Sequence, residues 1–515
     1  MRAQTPVEHI HLTFGPEPAR SMAVSWTTPG VVVHPRVRFG GSPGDLDREI
    51  PAITRVYTDA VTGVDVISHH ALLTNLEPDS VYRYEVRHDR IAHVEDGTLR
   101  TAPADRARFT FTCFGDQGTS AAYDPLGTPA SGHVVAGIER IDPLFTLVAG
   151  DLSYANQRSD PLQAWSDWFS MISTSARHRP WMPAAGNHEV ERGNGPHGLA
   201  AYQSRFLLPD NSEPDNSEPN DGEPVDTRVA EGAIAAGTDP DVAGLWYAFT
   251  VSNVRFVILQ NDDVCYQDAG MVYIRGYSGG RQRAWLTRTL RDARADPDID
   301  WIIVCMHQTA VSSAEHHNGA DLGIRQEWLP LFDAFEVDLV LCGHEHHYER
   351  THPLRGAVDG SDVLTPRPVS HRTDVIDTSR GTVHMLLGTG GSSSPSAGNL
   401  FDPPAGRVIV GVEPRESDPR RLRSIYVREP APWLALRAPD HPYAFAGFEV
   451  DPGEPGGTSR IHVTVYDSAG PSPVPFDTFT LVRTGAATTH DANANTVGNP
   501  TDTHGSGEAI PSWAC

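Results

Sequence analysis

Hydrophobic and polar residues alternate with a period of two along the N-terminal part of the chain. The apolar side chains of Ile10, Leu12 and Phe14 alternate with histidine and threonine, and the same alternation returns around Trp26. A period of two indicates a strand with one face buried. Residues 7–103 are therefore predicted to form an all-β domain.

A short motif narrows the type of this N-terminal domain. Leu76, Pro78 and Tyr82 follow the spacing Leu-x-Pro-x-x-x-Tyr, which is typical of the tyrosine corner of a fibronectin-type β-sandwich. We expect a fibronectin-III-like support domain, with His69 and His70 on its surface and outside any metal site.

Beyond residue 108, short apolar runs alternate with stretches of helical periodicity. The helical stretches 133–141 and 162–172 each place apolar side chains on one face. Such alternation argues for an α/β core over residues 108–400, with the functional site in the loops at strand ends. Residues 401–484 are predicted to form a smaller, C-terminal β-rich part of the catalytic unit. The apolar runs are residues 109–114, 144–149, 254–259, 301–306, 337–342 and 383–387.

Two segments lack the apolar residues that a folded core requires. Residues 209–244 contain the acidic stretch Asp-Asn-Ser-Glu-Pro twice in succession, and residues 485–515 are rich in threonine, asparagine, glycine and serine. Sequences of this composition cannot bury enough apolar area to fold. We expect a disordered surface insert within the catalytic domain and a disordered tail.

The composition excludes several classes of partner. The chain of 515 residues carries a net charge of −25, and all 41 basic residues are arginine. Such an acidic chain lacks the positive surface that binds nucleic acid or anionic lipid, and no apolar stretch is long enough to span a membrane. The length indicates more than one domain. We expect a small-molecule partner, and the oligomeric state stays open.

Metal-type ligands follow several apolar runs of the α/β core. Carboxylate, phenol, amide and imidazole groups form an unusual mixture for one metal ion. They suit two ions, a trivalent iron that prefers anionic oxygen and a divalent ion that accepts imidazole. Each motif is weak alone, but their joint occurrence after strand-like runs argues against coincidence and predicts a dinuclear hydrolase of phosphate esters. The residues are Asp116, Asp151, Tyr154, Asn187, His307, His344 and His346.

These ligands lie in motifs that resemble a known family. The motifs are Asp116-Gln117-Gly118, Gly150-Asp151-x-x-Tyr154, Gly186-Asn187-His188-Glu189, Val304-x-x-His307 and Gly343-His344-Glu345-His346. The set resembles the calcineurin-like metallophosphoesterases, and the tyrosine narrows the resemblance to the purple acid phosphatases, especially their larger, plant-like members. The resemblance covers roughly residues 8–480. It implies an α/β metallophosphoesterase sandwich, with mixed β-sheets flanked by helices, behind the N-terminal domain.

The resemblance also implies how two metals per subunit would be held. A site for Fe(III) would be formed by Asp116, Asp151, Tyr154 and His346. A site for a divalent ion (iron, zinc or manganese) would be formed by Asn187, His307 and His344, with the Asp151 carboxylate bridging both ions. Three anionic oxygens favour Fe(III), and charge transfer from a tyrosinate to this iron would colour the protein.

Three further histidines are candidates for catalysis. His316 and His317 lie nine and ten positions after His307. By resemblance, His317 would protonate the leaving group, His316 would contact phosphate, and His188 would contact phosphate or a metal ligand. Without that context, an exposed pair of histidines in a polar loop is usually solvated surface.

The expected reaction is hydrolysis of phosphate monoesters by a metal-bound hydroxide, with release of inorganic phosphate. Two metals can clamp the attacking and leaving oxygens, and a metal can lower the pKa of its bound water enough to give hydroxide at acid pH. The same ligands would equally serve a phosphodiesterase or nucleotidase. A third alternative is a non-catalytic surface binding protein, although such proteins usually lose metal ligands.

The compartment and the cysteines are less constrained by the sequence. The family is often exported and Arg2 to Pro6 would suit the start of a mature chain, so we expect an extracellular or cell-envelope location. The chain contains no Asn-x-Ser/Thr acceptor with x other than proline, which favours a bacterial source. Cys265 and Cys515 lie in polar surroundings and could pair, but nothing requires it.

Overall fold

The computed structural model describes residues 5–41, 45–89, 91, 93–209, 241–270 and 272–484. The predicted tail, Cys515 and nearly all of the predicted acidic insert lie outside the described residues. Strands β1–β8 belong to the N-terminal domain and form two four-stranded sheets, in the orders β1-β2-β6-β5 and β4-β3-β7-β8. These strands are β1 Glu8–Phe14, β2 Met22–Thr28, β3 Arg36–Gly40, β4 Arg48–Pro51, β5 Ile53–Thr58, β6 Asp65–Leu73, β7 Val81–Arg87 and β8 Glu95–Arg100.

The N-terminal domain is an all-β sandwich, as the period of two predicts. Trp26 and Tyr84 of this domain are fully buried in a hydrophobic cluster. The Tyr82 hydroxyl accepts a hydrogen bond from the backbone N–H of Glu77 at 2.8 Å. This local contact is the one that a tyrosine corner makes, and it secures the chain where it enters β7.

The prediction that His69 and His70 lie on the surface is wrong. Each histidine is only 1% exposed. The ring of His70 lies 2.9 Å from the carbonyl oxygen of Ser204 in the following domain. The sheet that carries these residues is buried on both faces, because one face packs on its partner sheet and the other contacts the catalytic domain. A strand pattern does not reveal a second buried face of this kind.

The remaining elements are numbered β9–β27 and α1–α6. The strands are β9 Phe109–Phe114, β10 Phe145–Val148, β11 Trp181–Pro183, β12 Tyr247–Val251, β13 Val254–Ile258, β14 Trp301–Cys305, β15 Ala320–Asp321, β16 Leu339–Cys342, β17 Tyr348–Thr351, β18 Leu354–Ala357, β19 Pro366–Pro368, β20 Val375–Asp377, β21 Val383–Leu387, β22 Ala405–Arg415, β23 Asp418–Pro430, β24 Leu434–Arg437, β25 Ala444–Asp451, β26 Thr458–Asp467 and β27 Val474–Thr484. The α-helices are α1 Pro129–Ile141, α2 Pro161–Ala176, α3 Ala200–Arg205, α4 Arg281–Ala295, α5 Leu322–Glu327 and α6 Leu329–Ala334.

Two seven-stranded mixed sheets face each other in the catalytic domain. Their orders are β11-β10-β9-β25-β26-β27-β20 and β12-β13-β14-β16-β21-β17-β24. Phe111 of the first sheet contacts Phe256 of the second, with ring centroids 5.1 Å apart. Helices α1 and α2 pack on the outer face of the first sheet, and α4 and α6 pack on the outer face of the second. The predicted fold class, mixed sheets flanked by helices behind an all-β domain, is confirmed.

Helix α2 shows how the local sequence sets these elements. Asp160 accepts a hydrogen bond from the Gln163 N–H at 3.1 Å, and Pro161 occupies the first helical position. Both features favour a helix start at this point. Trp168 and Phe169 then bury the apolar face of the helix. The helix runs over 161–176, a full turn beyond the predicted 162–172, because its last turn also packs against the domain.

The C-terminal strands are part of the catalytic core. β25 pairs antiparallel with β9, with Phe448 opposite Phe111. The rings of these two residues stack with centroids 4.5 Å apart. The segment predicted as a smaller β-rich part therefore supplies three of the seven strands of the first sheet, while β22 and β23 form a long antiparallel hairpin. The domain boundaries given above stay predictions.

Two sequence expectations concern cysteines and membranes. The described cysteines, Cys113, Cys265, Cys305 and Cys342, are all buried and free. The expectation of polar surroundings for Cys265 is wrong, since its side chain is fully buried. None of the helices within the described residues has the length and hydropathy needed to cross a bilayer.

Candidate metal centre

The predicted ligands converge where parallel strands of the two sheets end. Asp116 follows β9, Asp151 follows β10, His307 follows β14 and His344 follows β16. β9 and β10 run parallel in one sheet, and β14 and β16 run parallel in the other. The carboxyl ends of parallel strands meet at one edge of a sheet, which is the usual place for a functional site. The sandwich therefore brings both sets of loops to a common cleft.

The backbone at this edge is held in a strained conformation. Asp116, Asp151, Tyr154 and His344 all have φ between 54° and 70°. Residues other than glycine rarely adopt this left-handed region, and they cluster there at functional sites. At Gly343 a Cβ atom would collide with the Asp116 carboxylate. These tight turns direct the ligand side chains into the cleft.

A first cluster consists of Asp116, Tyr154 and His346. The Tyr154 hydroxyl lies 3.2 Å from Asp116 Oδ1 and 3.1 Å from His346 Nε2. His346 Nε2 lies 3.1 Å from the same carboxylate oxygen. The other ring nitrogen, Nδ1, lies 2.7 Å from the Ser394 carbonyl oxygen, which leaves Nε2 free to act as a ligand. Oxygen, phenol and imidazole donors thus point at one spot.

A second cluster consists of Asp151, Asn187, His307 and His344. His307 Nε2 lies 2.9 Å from Asn187 Oδ1, 3.1 Å from Asp151 Oδ2 and 3.2 Å from His344 Nδ1. Ligand atoms of Asp151, His307 and His344 all lie within 4.8 Å of one another, and the three residues are buried. His307 Nδ1 lies 2.8 Å from the Ala149 carbonyl oxygen. This contact again reserves Nε2 for a metal.

The two clusters are joined through the protein. Asp116 Oδ2 accepts a hydrogen bond from the His344 N–H at 2.7 Å, which links a carboxylate of the first cluster to a ligand of the second. Asp151 belongs to the second cluster, and its charge also acts on Tyr154 and His346 of the first. The bridging role of Asp151 itself stays a prediction.

The electrostatics of the cleft favour a bound cation. Burial alone would lower the pKa of His307, but the carboxylates of Asp151 and Asp116 raise it to about 10. Burial, together with the same two carboxylates, raises the pKa of Tyr154 well above its usual value. A phenolate therefore forms here only beside a strong positive charge. Anionic oxygen near Tyr154 and imidazole with amide oxygen near Asn187 fit a hard trivalent ion and a divalent ion, respectively.

Two of the three predicted catalytic histidines line this cleft. His317 Nδ1 lies 3.0 Å from Glu345 Oε2, and its ring lies 4.6 Å from the ring of His346. The ring of His188 packs on Tyr154 at 4.7 Å. Both rings border a cavity of about 220 Å³, together with Asp151, Asn187, His344 and His346. The cavity is large enough for a phosphoryl group.

The structure does not bring His316 into the cleft. Its side chain is 70% exposed, and its nearest charged partner is Glu315 at 3.9 Å. The two histidines lie in a bend of the chain, where the side chain of His317 is 20% exposed and that of His316 is turned to solvent. The phosphate contact assigned to His316 stays a prediction.

Three residues that position the candidate ligands or His317 were not predicted from the sequence: Glu189, Glu345 and Gln267. Glu189 accepts hydrogen bonds from the N–H groups of Asp151, Leu152 and Gly186 at 2.8 to 2.9 Å, and so shapes the loop that carries Asp151. Glu345 orients His317. Both glutamates lie inside sequence motifs that carry metal ligands, and this position was the sequence signal that could have identified them.

Gln267 carried no such signal. Its Oε1 lies 2.7 Å from His344 Nε2, and its Nε2 donates to Asn318 Oδ1 at 3.1 Å. The residue belongs to a loop that is distant in sequence from every ligand motif. Only the tertiary structure brings it to the cleft.

Comparisons with family models divide the chain in two. Residues 7–110 match the model described as the purple acid phosphatase N-terminal domain. Residues 110–348 match the model described as calcineurin-like phosphoesterase. The second match contains every predicted metal ligand.

Similar proteins come from bacteria and plants. An uncharacterized protein of Mycobacterium tuberculosis is 50% identical over 489 residues, which is 93% of this chain and 87% of that protein. The Fe(3+)-Zn(2+) purple acid phosphatase 12 of Arabidopsis thaliana is 23% identical, over 77% of this chain and 74% of its own length. A phosphoenolpyruvate phosphatase of Allium cepa is 26% identical, over 75% and 70%, respectively.

A solved structure shares the fold. A purple acid phosphatase from yellow lupin seeds superposes with a TM-score of 0.65 at 18% identity, covering 96% of this chain and 78% of the lupin chain. Domain order, fold and the convergence of the ligand motifs agree with the two family models. The chain belongs to the purple acid phosphatases, within the calcineurin-like phosphoesterases.

Proposed function

We propose that this protein is a dinuclear metal-dependent phosphatase that hydrolyses phosphate monoesters and releases inorganic phosphate. The observation that carries the proposal is the meeting of two ligand clusters, one around Tyr154 and one around His307, at a single small cleft. Both clusters are built from donors that suit metal ions of different charge. The small cleft favours a substrate of which only the phosphoryl group enters, and hence a broad set of esters.

The proposed cofactors are Fe(III) and a divalent ion, either iron, zinc or manganese. Asp116, Tyr154 and His346 would hold the iron, and Asn187, His307 and His344 would hold the divalent ion, with Asp151 between them. When bound, two such ions polarise the phosphoryl group and neutralise its charge. The name of the Arabidopsis relative, an Fe(3+)-Zn(2+) enzyme, supports this pair of metals.

His317 is placed to give a proton to the leaving oxygen. Glu345 Oε2 accepts from Nδ1 of the ring at 3.0 Å, which directs Nε2 towards the cleft. The ring is partly exposed, with 20% of its side-chain surface accessible, so the proton can be replaced from solvent. Proton donation to the leaving oxygen requires the imidazolium form of this ring. We therefore expect an acidic pH optimum.

His188 and its neighbours complete the cleft. The backbone N–H of His188 donates to Asp151 Oδ1 at 2.8 Å, and Nδ1 of its ring lies 2.8 Å from Asn156 Oδ1. These contacts hold the imidazole over Tyr154, beside the space for the phosphoryl group. Its proposed role is to contact the oxygens of the substrate.

The reaction is tested by comparing two substrates. For the purified, metal-loaded protein we expect a higher kcat/KM on nitrophenyl phosphate than on bis(nitrophenyl) phosphate. A rate on the bis-ester that equals or exceeds the monoester rate would contradict the monoesterase proposal and support a phosphodiesterase. The absence of turnover on either ester would contradict catalysis by this centre altogether.

The phenol of Tyr154 provides a spectroscopic prediction. We expect the iron-loaded protein to be coloured, and Tyr154→Phe to lose the visible band, because only a tyrosinate bound to Fe(III) supplies that charge transfer. The measurement is a visible spectrum together with metal analysis. Tyr123→Phe is a matched control, since Tyr123 is 68% exposed and contacts Asp167 outside the ligand clusters. Equal colour in wild-type protein and Tyr154→Phe would contradict the iron assignment.

A further inference from the structure

A second cavity, here called the arginine pocket, lies beside the metal cleft. It has a volume of about 610 Å³ and is lined by Arg192, Arg415 and Arg421, by Asp268 and Tyr273, and by two aliphatic side chains. Three guanidinium groups face one carboxylate, in a chain whose net charge is −25. This local excess of positive charge contrasts with the negative net charge of the whole chain.

The charges of the arginine pocket are not compensated. Among the described residues, Arg192 and Arg421 have no ion-pair partner, and Arg415 donates only to the Leu422 carbonyl oxygen, at 3.0 Å. By contrast, Arg423 on the same hairpin pairs with Glu413 at 2.7 Å. Guanidinium groups in a concave site that form no ion pair with a carboxylate are suited to bind an external anion.

The arginine pocket shares a wall with the metal cleft. Gln267 contacts His344 at 2.7 Å, and the next residue, Asp268, lines the arginine pocket. Gly270 of the same loop lies against the Asn187 backbone, where a Cβ atom would come within 3.2 Å of its carbonyl oxygen. Since the Cα atoms of consecutive residues lie about 3.8 Å apart, this one loop borders both sites, and a single ester with two phosphoryl groups could reach from one to the other.

We infer that the arginine pocket binds a second phosphoryl group, carried by the leaving group of the substrate. This inference rests on the proposed function, since it assumes that the first phosphoryl group sits in the metal cleft. Arginine forms paired hydrogen bonds with phosphate oxygens, and Tyr273 with the aliphatic side chains offers a surface for the less polar part between the phosphates. Preferred substrates are then polyanionic esters, such as nucleoside polyphosphates or sugar bisphosphates.

The test compares three substrates across charge-neutral variants. For Arg192→Gln, Arg415→Gln and Arg421→Gln, kcat/KM on a nucleoside triphosphate and on a sugar bisphosphate should fall about 10-fold each. The loss should appear in KM, while kcat and the hydrolysis of nitrophenyl phosphate stay unchanged. Added salt should weaken the wild-type preference for the two polyanionic esters. Arg423→Gln, on the same hairpin but paired with Glu413, is the matched control and should behave as the wild type.

The possible outcomes test the arginine pocket and the proposed phosphatase activity separately. Equal losses on all three substrates, or none on the polyanionic esters, would overturn the subsite while turnover of nitrophenyl phosphate still supports the phosphatase. A loss confined to the nucleotide would also overturn it, since base recognition would then explain the effect. If no ester is turned over, calorimetric binding of inorganic tripolyphosphate still decides, because the triple variant must lose binding that the wild type shows.

Discussion

Asp151→Asn is expected to lower kcat/KM for a phosphate monoester by about 1,000-fold or more. The carboxylate lies 3.1 Å from His307 Nε2 and is the carboxylate of the second cluster. The substitution keeps the shape of the side chain and removes its charge, so the cleft loses much of the potential that favours a cation. The measurement is steady-state kinetics on nitrophenyl phosphate, with metal content determined on the same sample.

A neighbouring carboxylate serves as a matched control. Glu345 is fully buried in the same region, but it contacts His317 and not the ligand clusters. Glu345→Gln should retain both metals and lose about 10- to 100-fold in kcat, since it only misorients His317. Equal metal content and equal activity in Asp151→Asn and wild-type protein would contradict the proposed centre.

Acidification is expected to destabilise the contact between the two domains. Burial lowers the pKa of His9 from 6.5 to about 4 and that of His11 from 6.5 to about 4. Burial also lowers the pKa of His70 well below its usual value. All three lie on β1 or β6, in the sheet that meets the catalytic domain. Protonating any of them in the folded state places a charge in a buried or, for His9, partly buried site.

The surroundings of these three histidine rings explain why their pKa values are lowered. His9 Nε2 lies 3.1 Å from Ser166 Oγ on α2, and His70 Nδ1 lies 2.8 Å from Ser25 Oγ. After burial, the positive charge of Arg205 further lowers the pKa of His9, while Asp167 opposes the shift. His11 has carbonyl oxygens near both nitrogens, which raise its pKa, but burial outweighs them.

The sign of the pH effect follows from proton binding. The unfolded chain binds protons near pH 6.5 and the folded chain only near pH 4, so the unfolded state carries more protons between these values. The stabilising contribution is complete above pH 6.5 and is lost as the pH falls towards 4. For His9 and His11, a pKa that falls from 6.5 to about 4 corresponds to about 3 kcal/mol each, a large share of a total stability of about 5–15 kcal/mol.

A pair of variants tests this expectation. His9→Asn should flatten the fall in unfolding free energy between pH 6.5 and 4, because asparagine can keep the contact with Thr27 but does not titrate. Asparagine also tolerates the positive φ of 59° at this position. His34→Asn, at a φ of 52° and with a side chain that is 76% exposed, is the matched control. Identical pH profiles for wild-type protein and His9→Asn would contradict a titrating interface.

These two predictions have a joint consequence for catalysis. The proposed reaction is expected to be faster in acid, whereas the interface is expected to be weaker there. Bound metals stabilise the folded chain, since they bind the folded state and not the unfolded one. We therefore expect the metal-loaded protein to remain folded at a lower pH than the metal-depleted protein.

Local patterns were sufficient for much of the fold. Apolar runs such as 109–114 and 383–387 form β9 and β21 with the same bounds. A strand that is buried on both faces consists largely of consecutive apolar residues, so its extent is visible in the sequence. Long-range pairing was not predictable in this way. The position of β25 beside β9 depends on residues more than 300 positions apart, and the burial of His69 and His70 depends on a contact with another domain.

In the candidate site, too, the local features were predictable from the sequence and the long-range contacts were not. The ligands from Asp116 to His346 were predicted because each lies in a short motif after a strand-like run. The clustering of those ligands, the contact of Gln267 with His344 and the outward position of His316 required the three-dimensional structure.

The sequence by itself determined which donors are present, where strands end, and hence the class of chemistry, because ligand type and local periodicity are properties of neighbouring residues. Only the tertiary structure decided which donors meet, which histidines are buried and where unpaired arginines gather. Those outcomes depend on packing between segments that are remote along the chain, and no local pattern records that packing.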